Sequence, residues 1–368
     1  MAEKGELLGQ AIETSDVKAV SQLKEKLQPD GAWKAHLTLF PVVQRVVNPP
    51  FINPHLPKMY AVCRDLLPYL KPEDIPGLLY MEAMEYARRP KLPQLARGPL
   101  PKRRVSFEEV EGAIKENDRE KTAIVLATFH EQEGAKALAR RLLLLGSGYL
   151  TESLGHSVSC TAFILLEMLQ RPGEDPWPAL ALLADYFCKG HFENTPRLRR
   201  EESASGGLSD ALLLRSTSGS SFMDIHHTIT LYAIERSRHL FAREEYDHLL
   251  QCWLAFMGKK EERLVSVDAK AGATADYATF FDVFSRREPG GALAAAVPMA
   301  TFDGRKQLGR FLVRGLCDLY QGDYNPHYVT GLGATLWVIE GHWSKPPVAT
   351  NVLHQYLGFL FSGLRSGR

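Results

Sequence analysis

The chain has 368 residues, enough for one large domain or two ordinary ones, and 45% of them are hydrophobic, as in an ordinary globular protein. A formal net charge of +1 leaves no electrostatic case for nucleic acid or an anionic membrane as partner. The five cysteines (Cys63, Cys160, Cys188, Cys252 and Cys317) are widely spread with no C-x-x-C pair, which leaves a zinc ribbon or redox motif unsupported and fits a reducing cytoplasm.

Residues 3–27 place Leu7, Leu8, Ala11, Ile12, Val17, Val20, Leu23 and Leu27 at helical spacing, broken at Thr14-Ser15-Asp16. This stretch is polar, without the apolar h-region of a signal peptide, and nowhere does the chain approach the ~18 uninterrupted apolar residues of a membrane span. The expectation is a soluble, cytoplasmic protein. A second helix over 33–47 is interrupted by Pro41, and Asn48-Pro49-Pro50 stops it. Residues 51–70, FINPHLPKMYAVCRDLLPYL, then form a helix with His55 at its start, and 76–88 another.

The proline-rich basic stretch 89–104 reads as a solvated connection. Ser106 with Glu109 three residues on is a capping-box pattern, and 118–145 is a further helix or helix pair, split at Gly134. Residues 154–169, LGHSVSCTAFILLEML, are apolar on almost every side, so this helix should lie in the middle of a domain. Ser153 is its expected N-cap, with His156 in the first turn. A helix over 178–188 follows. The polar segment 195–221 reads as a mobile loop or lid with one apolar run, Ala211–Leu214. Helices are expected over 226–241, 244–257, 274–286, 291–299, 305–320, 326–340 and 348–361. No period-2 alternation between turn signals occurs, so the fold class is all-α, a single helical domain over 1–368.

Four apolar helices open on a histidine: His55, His156, His226 or His227, and His327. From 55 to 227 is 172 residues and from 156 to 327 is 171, which suggests two similar halves, about 1–190 and 191–368. Shorter echoes point to a degenerate repeat of about a hundred residues: His55 and His156 are 101 apart, and Ala11-Ile12 before Asp16 matches Ala113-Ile114 before Asp118. Histidines at the partially positive N-termini of buried helices should be neutral, the form that ligates metals and exchanges protons. Converging, they would line a central pocket suited to iron, zinc or copper.

Other features read as support or as background. Glu167, Glu235 and Glu340 lie further along the same helices and are either outer partners of the histidines or helix-end charges. Tyr232 and Trp337 could line an aromatic pocket or pack in the core. Glu245 and His248 have an E-x-x-H spacing but sit in the charged stretch AREEYDHLL and read as solvated; His130 reads as surface. Gly331-Leu332-Gly333 reads as close helix packing. H-E-x-x-H, G-x-G-x-x-G after a strand, a Walker lysine motif and G-x-S-x-G are all missing. Trp343 and Tyr356 could serve a dimer contact.

The histidine pattern resembles that of the questin oxidase-like family. The matching positions are Asn53, His55, Leu56 and Pro57, then Gly155 and His156, then Ile225 and His227, and last His327. The chain departs from the pattern at Pro54, which is inserted, at Ser157, where the family has proline, and at Tyr328, where a small residue is expected. The resemblance implies an oxidative, Baeyer–Villiger-like ring cleavage of polycyclic phenolic substrates with NADPH. The expected function is thus an oxidoreductase acting on a small hydrophobic or aromatic molecule. His55, His156, His227 and His327 would be its catalytic and metal-binding residues, with iron the first metal to test. Two other readings stay open: a non-enzymatic α-solenoid that binds ligands or proteins, and haem held by a histidine pair.

Overall fold

A computed structural model of the chain describes residues 2–24, 29–198, 208–267 and 276–366. These residues are all-α, with two isolated bridges, Val46–Lys91 and Asn48–Phe51, and no strand. The first helices are α1 (Ala2–Glu13), α2 (Val17–Lys24), α3 (Pro29–Thr38), α4 (Phe40–Val43), α5 (His55–Leu66) and α6 (Ile75–Arg88). Next come α7 (Phe107–Lys115), α8 (Arg119–Glu133), α9 (Ala135–Ser147), α10 (His156–Leu169) and α11 (Trp177–Gly190). The remainder are α12 (Asp210–Thr217), α13 (Phe222–Ser237), α14 (Arg243–Met257), α15 (Tyr277–Ser285), α16 (Pro289–Ala296), α17 (Arg305–Asp318), α18 (His327–His342) and α19 (Pro346–Ser366).

Local signals place many of these ends. The Ser106–Glu109 capping box starts α7, and Gly134, at φ 87, separates α8 from α9 in a conformation that a side chain would strain. The corners α1–α2 and α7–α8 share one construction. Asp16 accepts the amide of Ala19 and Asp118 that of Lys121, each at 2.9 Å, and each aspartate follows a left-handed residue, Ser15 at φ 58 or Asn117 at φ 55.

The centre of the molecule is a closed circuit of four helices: α5 packs on α10, α10 on α13, α13 on α18, and α18 on α5. In α10 every residue from His156 to Met168 is buried. The Gly331–Gly333 pair lets α18 approach its neighbours. A Cβ on Gly331 would lie 3.1 Å from Ile225 of α13, and one on Gly333 would lie 2.3 Å from Val62 of α5. Around this circuit the buried apolar residues form two clusters. One is built mainly from α7, α8, α9, α10 and α11; the larger joins α1–α6 to α13–α19.

Three expectations need correction. Residues 210–217 form α12 rather than loop, with Ser209 as N-cap and Leu213 buried, while 199–207 lie outside the described residues. Glu245 and His248 are buried, because the Glu245 carboxylate accepts from Arg140 Nε at 2.8 Å. Tyr356 is fully buried and unavailable as an outward contact. Among the described residues, no helix is long and apolar enough to cross a membrane.

Candidate metal centre

His55, His156 and His327 are the first residues of α5, α10 and α18, and all three are buried. The approach that brings α10 to α13 depends on Gly155, not on Ser153 as cap. Gly155 has φ 78, and a Cβ there would lie 2.0 Å from the Thr230 hydroxyl. Ser153 instead holds the turn together: its hydroxyl accepts the Ser157 amide at 3.0 Å and its carbonyl accepts from His156 Nδ1 at 2.6 Å.

The three imidazoles point their Nε2 atoms at one another. His55 Nε2 lies 2.9 Å from His156 Nε2, which lies 3.1 Å from His327 Nε2, and one ring nitrogen from each residue falls within 4.8 Å of the others. A fourth ring joins them from α13, and it is His226 rather than His227. Its centroid is 4.9 Å from that of His156 and 4.6 Å from that of His327. His226 sits in the second turn of its helix, behind a Ser221–Asp224 capping box. His227 faces the other way: its ring meets Phe256 edge-on and its Nδ1 lies 3.5 Å from Lys260 Nζ. Two histidines adjacent in sequence cannot both face one side of a helix, and the sequence had no means to choose between them.

Neighbouring acceptors set the tautomers. His156 Nδ1–H donates to the Ser153 carbonyl at 2.6 Å, and His226 Nδ1–H to the Phe222 carbonyl at 2.6 Å. His327 Nδ1–H donates to Asn325 Oδ1 at 2.7 Å; that amide is oriented by the His327 backbone N–H, which donates to the same oxygen at 3.0 Å. Neutral rings so arranged carry a bare lone pair at Nε2. His156 and His327 therefore face each other lone pair to lone pair, an arrangement that a hydrogen bond cannot satisfy. His226 Nε2 is buried without a hydrogen-bond partner among the described residues.

Protonation is a poor remedy. Burial is the leading influence holding His55, His156 and His327 well below the usual histidine range, and it takes His226 down to about 3. A metal ion fits better. Two nitrogens bound to one ion at right angles, about 2.1 Å away each, stand about 3.0 Å apart, close to the 2.9 and 3.1 Å spacings seen here. A hydrogen bond from the second ring nitrogen to a carbonyl or amide oxygen is also the usual support of a ligating histidine.

One turn into α5 lies a residue that sequence reading passed over. Lys58 has no exposed surface, and its Nζ has no hydrogen-bond partner among the described residues. Burial lowers its pKa, and its charge opposes protonation of all four histidines. The available signal was a lysine inside an otherwise apolar helix, HLPKMYAV.

Of the two readings of Glu167, Glu235 and Glu340, helix-end charges is the one that holds, because the four helices run in the same direction and these residues lie toward the opposite ends. Glu167 pairs with Arg64 at 2.7 Å, Glu340 with Arg305 at 2.7 Å, and Glu235 accepts from the Tyr246 hydroxyl. Tyr232 and Trp337, 5.8 Å apart, line a separate cavity of about 740 Å³ at that far end. In front of the histidines opens a second cavity, of about 550 Å³, onto which His55, His156 and His327 face together with Phe51, Leu154, Phe222, Tyr324 and Tyr328.

No protein-family model, curated protein or solved structure matches the chain.

Proposed function

We propose that this chain is a metal-dependent oxidoreductase that acts on a hydrophobic aromatic small molecule in the cavity before the histidines. The observation that carries the reading is the 3.1 Å approach of His156 Nε2 to His327 Nε2, with both Nδ1–H groups committed elsewhere. Nitrogen lone pairs gathered in a buried site have their natural partner in a transition metal. His55, His156 and His327 would hold it, with the unpartnered Nε2 of His226 as a fourth donor. All four ligands are neutral imidazoles, a set that suits iron, copper or zinc. Iron is preferred because it joins this ligand chemistry to the oxygenation suggested by the questin oxidase-like resemblance, with copper the next to test; the resemblance also makes NADPH the proposed electron donor.

The metal, when bound, supplies the redox or Lewis-acid chemistry. The chain's own residues do the rest. Asn325, the Ser153 carbonyl and the Phe222 carbonyl orient the ligands. Phe51, Phe222, Tyr324 and Tyr328 offer aromatic surface to a flat substrate and keep water from it.

Elemental analysis of the purified full-length chain tests this. About one equivalent of iron, copper or zinc is expected, and a His156→Ala/His327→Ala double variant that keeps its helical circular dichroism should hold none. Wild-type protein that carries no metal, and takes up neither Fe(II), Cu(II) nor Zn(II) on anaerobic reconstitution, would end the proposal.

A further inference from the structure

The cavity in front of the histidines is electropositive by construction. Helices α5, α10 and α18 begin on histidines that line it, and α13 begins on Phe222, which lines it too. Each N-terminus contributes about half a positive charge within its first turn. Two arginines, Arg89 and Arg287, stand in the wall with one carboxylate, Asp323; Arg89 is also paired with the buried Glu85 behind it at 3.1 Å, so the cationic bias rests on Arg287 and the helix ends. Asp323 is strongly exposed and already paired with Arg89 at 2.8 Å.

Arg287 is the unusual member. Its Nη1 donates to the Leu364 carbonyl at 3.2 Å, and among the described residues no carboxylate pairs with it. Its backbone is left-handed, at φ 58, a conformation that arginine rarely adopts and that tends to persist at ligand sites. Among the described residues two further groups at the cavity have no hydrogen-bond partner: Arg89 Nε, and Nδ1 of the buried ring of His55. The rest of the wall mixes aromatic rings with the side-chain amides of Asn48, Asn53 and Gln321.

We infer that the cavity binds an aromatic carboxylate, with Arg287 anchoring the carboxylate group and Phe51, Phe222 and Tyr324 receiving the ring. A guanidinium with no acidic partner among the described residues, set in a wall biased positive by four helix ends, selects for an anion. The aromatic lining and a volume of about 550 Å³ select for a body of one to three fused rings. This deepens the proposed function by naming the substrate class and rests on it for the chemistry, but the anion preference stands on residues other than the histidines.

The test is a binding measurement on the full-length protein with 2-naphthoate and its neutral counterpart 2-naphthalenemethanol, with metal content determined on the same sample. Naphthoate should bind at least about tenfold tighter than the alcohol, and Arg287→Gln should remove most of that preference while leaving the alcohol unaffected. Arg287→Gly, which a left-handed backbone accepts readily, keeps the test informative if the glutamine variant folds poorly. A preference that survives chelation and needs Arg287 upholds the inference even in a sample without metal. Equal binding of the two probes overturns it. So does a preference that vanishes on chelation but not on substitution of Arg287, since the carboxylate would then be ligating the metal.

Discussion

His156 and His327 meet Nε2 to Nε2 at 3.1 Å, and the hydrogen bonds at their far sides leave neither nitrogen a proton to share. The residue that enforces this on His327 is Asn325, through an oxygen that also caps the backbone at the start of α18. Replacing Asn325 with leucine frees the ring to change tautomer and to rotate. Metal affinity should fall by about 10–100-fold, whereas Asn325→Asp, which keeps the acceptor, should retain it; competition with a chelator of known affinity measures both.

His226 and His227 are neighbours in sequence with opposite surroundings. His226→Ala is expected to weaken metal retention, while His227→Ala should leave it within about twofold and lower thermal stability modestly through lost contact with Phe256. Metal content of the two purified variants decides the matter. Equal retention in both would remove His226 from the ligand set.

Lys58 makes a prediction about stability and pH. Burial lowers its pKa in the folded chain, so between that value and about 10.4 the unfolded chain holds a proton that the folded chain does not. Folding stability of the metal-free protein should therefore rise with pH through this window. Lys58→Met removes an unpaired buried amine and should raise stability by about 1–3 kcal/mol at pH 7, with the gain shrinking toward pH 10. Denaturant midpoints across pH give the curve; a gain that grows with pH would show that the amine is charged and paired in the folded protein.

Close packing of α18 on α5 can be probed separately. Gly333→Ala places a methyl group 2.3 Å from Val62 Cγ1. Overpacking of this kind should cost about 1–3 kcal/mol, and Val62→Ala in the same chain should recover part of it. If the two substitutions simply add in a thermal unfolding series, the contact is not what the glycine serves.

Much of this architecture is legible in the sequence, for identifiable reasons. The all-α class follows from helical periodicity, and the α7 box, the Gly134 break and the α10 core helix each follow from a local pattern. The histidines could be singled out because each opens an apolar run. Which of His226 and His227 turns inward depends on the rotation of α13 against α10 and α18, a tertiary quantity. Glu167 and Glu340 could not be assigned between outer partners and helix-end charges, because sequence spacing gives distance along a helix but not that all four helices point the same way, which puts those carboxylates at the far end. Lys58 was passed over because a single lysine in an apolar run weighs little until its surroundings are known, and Arg287 because a left-handed backbone leaves no mark on a non-glycine residue.

The shared direction of α5, α10, α13 and α18 also bears on how the protein must fold. Parallel neighbours cannot be joined by a tight turn; the chain has to travel back the full length of each helix before starting the next. His55 and His156 are 101 residues apart and His156 and His327 are 171 apart, although their rings touch. Such contacts close large loops, the slowest kind of event in chain assembly. No fragment short of residue 327 holds all of the nitrogen donors. The centre should therefore come into being in the last cooperative step, and a metal bound there would act as a latch on a finished fold and not as a nucleus for it.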